Sequence, residues 1–227
     1  MSTSRFFDAI AGRYERAYAL GADESRRRMA RVLHELPRPP ALVLDLGVGT
    51  GRELPALLDA GHDVIGVDLS LEMLERCRRR ARPIELVHAD FWRPLDLASS
   101  SFDACVALHG TLAHPPDEGA LGRLAREVVR LVRPAGVWVI EVPSPAWLEK
   151  AADLPRSAEG EIVRTGPATF TFVDRVVGAS IDGRVLSEEE WRTSLDDAWS
   201  VRVHPLGALE WLILARPRQP DPAAVLG

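Results

Sequence analysis

The chain has 227 residues, 46% of them hydrophobic, and a formal net charge of −5. That length supports one domain with a full core, the acidic balance argues against a nucleic-acid surface, and no run approaches the roughly 18 apolar residues of a membrane span. The two cysteines, Cys77 and Cys105, sit in no paired motif, so neither a metal site nor a redox centre is expected.

Residues Met1 to Asp8 lack the apolar core of a secretion signal, and a cytoplasmic protein is expected. Phe6, Ile10, Tyr14 and Tyr18 recur at helical spacing and predict a helix over 5–20. A second helix is expected from Asp23, its N-cap, to Leu36, ended by Pro37-Arg38-Pro39-Pro40. The arginine runs Arg26–Arg28 and Arg78–Arg80 lie on predicted helices beside acids and read as solvated faces. Cys77 is expected to be partly exposed on its charged helix, and Cys105 to be a small core residue.

From residue 41 strands and helices alternate. Strands are predicted over 41–46, 63–68, 83–89, 102–108 and 137–142. Helices are predicted over 52–60, from the Ser70 cap onward, and over 117–131, before the turn 133–136. Such alternation implies a parallel, doubly wound sheet, because each parallel link needs a crossover. Beyond Pro143 the pattern changes. Residues 144–165 read as helix and loop, 168–173 and 176–181 as strands, and Asp182-Gly183 as a turn. Ser187-Glu188-Glu189-Glu190 matches a capping box. Residues 199–205 and 210–215 read as the last two strands, and 217–227 as a frayed tail. One domain is expected: N-terminal helices or lid at 5–40, a cofactor core at 41–143, an elaboration beside the sheet at 144–198, closing strands at 199–216, and the tail.

The chemistry concentrates at successive strand ends. Gly47, Gly49 and Gly51 follow the first strand and let backbone N–H groups approach a ligand at a helix N-terminus. Asp68 ends the second strand, 17 residues after Gly51, where a carboxylate can accept from ribose hydroxyls. Asp90-Phe91 ends the third, with an acceptor for an adenine amino group and a ring to pack on the base. Taken singly these are turn and cap residues; in order, at matching spacing, they describe a nucleoside-bearing cofactor.

These residues resemble the class I S-adenosylmethionine-dependent methyltransferase family, in particular its small-molecule branch, which includes the ubiquinone and menaquinone biosynthesis methyltransferases. The first motif, an acid followed by G-x-G-x-G, is matched by Asp45, Gly47, Gly49 and Gly51. The ribose acid and the hydrophobic residue after it are matched by Asp68 and Leu69, and the adenine motif by Asp90 and Phe91. The fourth-strand motif runs from Phe102 to His109, and the turn before strand five carries Ala135 in place of one glycine. The N-terminal segment, whose tyrosine lies over the cofactor, is matched by Phe7 to Tyr14, with Glu15 as the acid that follows. The likeness covers residues 5–143. It implies S-adenosylmethionine as cofactor, a Rossmann-like methyltransferase fold with a mostly parallel seven-stranded sheet, two N-terminal helices and an insertion after strand five, and methyl transfer to O, N or C of a small molecule. It implies cofactor contacts from Tyr14 and His109 as well.

A dinucleotide-binding dehydrogenase would need glycine at position 52, where Arg52 stands. A cofactor-binding domain without turnover is the other alternative. Methyl transfer from a sulfonium is an in-line displacement that needs alignment and exclusion of water, and a base only where the acceptor loses a proton. His109 and His114 follow strand four and are the two candidate bases; equally, His109 can serve through its backbone and His114 can end the loop. Arg13, Tyr18 and Trp147 are candidates for the acceptor pocket, with helix-face packing as the alternative. No metal is expected, and the protein is expected to be a monomer or homodimer.

Overall fold

The computed structural model describes residues 2–18, 21–80, 83–151, 159–195 and 198–218. Its centre is a seven-stranded sheet built from β1 (Leu42–Leu46), β2 (Asp63–Asp68), β3 (Glu85–His88), β4 (Phe102–Ala107), β5 (Val132–Pro143), β9 (Trp199–Pro205) and β10 (Glu210–Pro217). The order is β3-β2-β1-β4-β5-β10-β9. The first five strands pair in parallel, and β10 runs antiparallel to both of its neighbours.

Successive side chains of a strand point to opposite faces, and the core divides accordingly. Leu44, Cys105, Trp138, Ile140 and Ile213 face α6 (Ala120–Leu131) and α8 (Glu188–Ser194). Val43, Ala104, Val106, Val139 and Leu212 face α3 (Ala22–Glu35), α4 (Leu54–Asp59) and α5 (Leu71–Arg80). Burial on both faces is why the central strands read as continuous apolar runs. Cys77 is only 1% exposed and belongs to the second cluster, because the inner face of α5 points it at the sheet.

A second sheet, β6 (Gly160–Arg164), β7 (Thr169–Asp174) and β8 (Ala179–Arg184), is antiparallel in the order β6-β7-β8. Two expectations fail here. Residues 160–164 form a strand rather than helix and loop; among the described residues of that stretch only α7 (Pro145–Ala151) is helical. The β7–β8 turn lies at 175–178, where Gly178 has φ +64°, while Asp182-Gly183 sits inside β8. Gly183 is there for packing: a Cβ on it would meet Phe170 Cζ at 2.2 Å. The expected capping box at Ser187 and Glu190 is present on α8.

The N-terminal helix is broken into α1 (Thr3–Ile10) and α2 (Tyr14–Ala17), joined by a turn in which Arg13 N–H donates to Ile10 O at 2.9 Å. α3 begins two residues earlier than expected, with Gly21 at the cap and Asp23 and Glu24 in the first turn, where acids suit the helix dipole. β5 is longer than expected: Phe102 pairs with Val132 and Ala104 with Val137, so residues 133–136 bulge from the ladder. α1 packs between α5 and β8, burying Phe6, Ile10, Met73 and Ile181 in a cluster separate from the two sheet faces. Asp8 accepts from the Ser70 hydroxyl at 2.6 Å, and Ser70 Oγ accepts from Met73 N–H at 3.2 Å as the cap of α5. Among the described residues no helix is long and apolar enough to cross a membrane. The expected tail lies almost wholly outside the described residues.

Candidate active site

A cavity of about 480 Å³ opens at the carboxyl ends of the parallel strands. That is the volume range of small-ligand pockets and the usual place for them in open α/β sheets. Its lining follows strand order: Asp90 and Phe91 after β3, Asp68 and Leu69 at β2, Gly47 and Gly49 after β1, His109 after β4, Glu141 to Pro143 at the end of β5, and Glu210 at the start of β10. Tyr14 of α2 and Tyr18, its C-cap, also line it, while Phe7, Trp147, Ile162, Phe170, Phe172 and Ile181 form an apolar wall at the far end.

The three glycines divide the work. All have positive φ, between 54° and 74°, which an L side chain adopts only with strain. A Cβ on Gly47 would lie 2.4 Å from Thr111 Cγ2, so its bareness lets the loop after β4 close against the turn. Gly49 lines the cavity, and a Cβ there would meet only Gly47 O, at 3.8 Å. Gly51 does not line the cavity; a Cβ on it would press on Cys77 Sγ at 2.8 Å and Leu54 Cδ1 at 2.9 Å, so it serves helix packing. Asp68 shapes the turn as well as the cavity, accepting from Gly49 N–H and Ser70 N–H at 2.8 Å each. Burial raises its pKa, and those backbone donors pull it down in part.

Two more of the expected site residues lie off the cavity wall. Asp45 is buried inside β1, one step behind the turn. Burial, and then the charges of Glu53 and Asp68, push its pKa up to about 7. Arg13 turns away from the cavity and pairs with Asp174 and Glu159 of the small sheet's end. Helical spacing over 5–20 places Arg13 on the side of Tyr14 and Tyr18; the turn after Ile10 redirects it.

His109 and His114 both line the cavity, in different electrostatic states. Burial would lower His109, yet its hydrogen bond to Glu53 and the charges of Glu141 and Glu53 outweigh that and raise its pKa. Burial lowers His114 below its ordinary value, opposed only in part by the Asp182 carbonyl. His114 Nδ1 lies 2.7 Å from Asp182 O, and a carbonyl only accepts, so Nδ1 carries the proton and Nε2 keeps the ring's lone pair. Phe7 and Phe170 flank that imidazole edge-on, each with centroids 6.1 Å away.

Several lining residues were not foreseen. Arg52 lies 5.2 Å over the Tyr14 ring and donates to Tyr18 O at 3.0 Å. Arg28 reaches across from α3 to Glu141 and Glu210, with Glu210 Oε1 at 2.9 Å. Phe170 and Phe172 were legible as alternate residues of a strand, but nothing local says which side of that strand meets a cavity.

Residues 43–136 match a methyltransferase domain family. The chain is 33% identical over 146 residues to a cypemycin N-terminal methyltransferase of a Streptomyces species, covering 63% of this chain and 58% of that one. It is 29% identical over 207 residues to a demethylmenaquinone methyltransferase of Corynebacterium kroppenstedtii, covering 83% and 85%. Its fold resembles the CcbJ methyltransferase from Streptomyces caelestis with a TM-score of 0.73 at 20% identity, over 96% of this chain and 100% of that one. The domain match agrees with the order of residues along the strand ends, and residues 43–136 carry a methyltransferase domain, on a fold like that of solved methyltransferases.

Proposed function

We propose that the protein transfers a methyl group from S-adenosylmethionine to a small-molecule acceptor. One observation carries this reading: a single cavity runs along the strand ends from an adenine-type pair, through a ribose-type acid and an open glycine, to an apolar wall with a neutral imidazole. The residues fit the cofactor. Asp90 and Phe91 would hold the base, Asp68 the ribose hydroxyls, and the bare face of Gly49 the chain beyond, with Tyr14 above and Leu69 and His109 beside it. When bound, the cofactor supplies a methyl group already activated on a sulfonium.

The chain then contributes position, dryness and a proton acceptor. Alignment of donor and acceptor accounts for about 7–11 kcal/mol in favourable systems. Phe7, Trp147, Phe170 and Phe172 exclude water from the acceptor end. His114 is the better base of the two histidines, because its lone pair sits on Nε2 and burial keeps the ring neutral. His109 is held toward its cationic form by Glu53 and suits a positioning role. Tyr18 and Trp147 remain candidates for acceptor contact.

Two measurements test the reading. Calorimetric titration should give saturable S-adenosylmethionine binding and none with NAD; the reverse outcome sinks it. Incubation with S-adenosylmethionine and a panel of quinone precursors, amines, carboxylates and phenols should release S-adenosylhomocysteine with at least one class. Binding without release across the panel favours a silent cofactor-binding domain.

A further inference from the structure

The α1–α2 corner connects the glycine turn to the far wall of the cavity. On one side α2 is fastened to the turn. Glu15 accepts from Thr50 Oγ1, Arg52 Nη1 donates to Tyr18 O at 3.0 Å, and the Arg52 guanidinium covers the Tyr14 ring. On the other side the same corner is fastened to the small sheet. Arg13 Nη1 donates to Asp174 Oδ2, and the Tyr18 hydroxyl donates to that oxygen at 3.2 Å. Arg13 is 8% exposed and Asp174 1%, so neither charge has ready access to solvent as a substitute partner.

Asp174 does a second job with its other oxygen. Oδ1 accepts from Val176 N–H at 3.0 Å and Val177 N–H at 3.2 Å, and so shapes the β7–β8 turn. β7 also carries Phe170 and Phe172 into the cavity wall. Phe172 meets the Tyr18 ring at 5.4 Å and Phe6 at 5.9 Å between centroids. A continuous set of contacts thus runs from the turn that faces the cofactor end, through α2, to the strand that faces the acceptor end.

We propose that the buried Arg13–Asp174 pair is a latch that couples cofactor binding to the order of the acceptor wall, which makes Arg13 a positioning residue rather than a substrate contact. The proposal rests on the reading of the cavity as an S-adenosylmethionine site. A ligand that settles under Tyr14 and against Gly49 fixes α2, and α2 then fixes β7 and β8 through Asp174. Coupling of this kind is reciprocal: an ordered small sheet holds the cofactor end closed, so the acceptor is met by a finished pocket only after the cofactor is in place.

Hydrogen exchange on the full chain, with S-adenosylhomocysteine as the probe, tests this without knowledge of the acceptor. In the wild type the probe should slow exchange in α2 and the glycine turn and also across residues 169–184, by about 5- to 150-fold there. In Arg13→Gln and in Asp174→Asn the slowing should remain at the turn and disappear from residues 169–184, and Arg13→Lys should restore part of it. A merely structural role would raise exchange in the small sheet equally with and without the probe. Wild-type protection that stops at α2, or variants that keep the probe-dependent protection of 169–184, overturns the latch; the wild-type comparison decides even where a variant fails to fold. Calorimetry on the same samples separates the two levels: a wild type that binds no S-adenosylhomocysteine refutes the cavity reading, not the latch alone.

Discussion

Gly49→Ala and Gly51→Ala add the same methyl group two residues apart in one turn, and the geometry sends its cost to different places. Gly49 has φ +54° and Gly51 φ +74°, so each alanine bears the left-handed strain of roughly 1–2 kcal/mol. At Gly51 the new Cβ also lies 2.8 Å from Cys77 Sγ and 2.9 Å from Leu54 Cδ1, both in the buried core. Overpacking of that kind adds about 1–3 kcal/mol. Gly51→Ala should therefore lose roughly 2–5 kcal/mol of stability, or about 4–20 °C in Tm for a chain of this size. At Gly49 the nearest protein atom is 3.8 Å away, so the stability loss stops at the strain, about 2–8 °C. The methyl there takes up ligand space, and S-adenosylhomocysteine affinity should fall by about 5- to 150-fold. The folded fraction of Gly51→Ala should bind with much less loss. Thermal melts and calorimetric titration on both variants check this; a Gly51→Ala that melts like wild type but no longer binds contradicts the division of labour among the glycines.

His114→Gln should cut turnover by about 10²–10⁴-fold where the acceptor must lose a proton. Because His114 titrates below 6.5, wild-type turnover should be level at neutral pH and decline in acid, a limb that the variant lacks in a pH–rate profile. Asp45→Asn should stabilise the ligand-free protein. The folded pKa of Asp45 is raised from 3.8 to about 7, so stability is greatest below 3.8 and is lost as pH rises toward 7. The penalty is on the order of 4 kcal/mol above that pH, and the Tm gap between variant and wild type should widen from pH 4 to pH 8; a constant gap rejects the assignment. Deleting residues 2–18 should abolish turnover while leaving the cooperative unfolding of the main sheet in place, since Phe6 and Ile10 belong to neither of its two core faces.

The strand-end side of the cavity was legible in sequence because its rules are local. A strand buried on both faces must read as an apolar run, a turn with φ above zero needs glycine, and a capping box needs Ser187 and Glu190 three residues apart. Those rules set the doubly wound order, the strand ends, and Gly47, Gly49, Asp68, Asp90 and Phe91 as a set. The small-sheet side of the cavity followed contacts across long separations in sequence. Arg13 left the cavity because Asp174, 161 residues away, offered a buried carboxylate. Gly183 was not a turn because the Phe170 ring needed its bare face. The two histidines, five positions apart, were divided by Glu53 and by the Asp182 carbonyl. Backbone period and turn chemistry are properties of a few consecutive residues and determined the scaffold from the sequence alone; burial, charge pairing and the facing of a strand are properties of the assembled chain, and only the tertiary structure decided them.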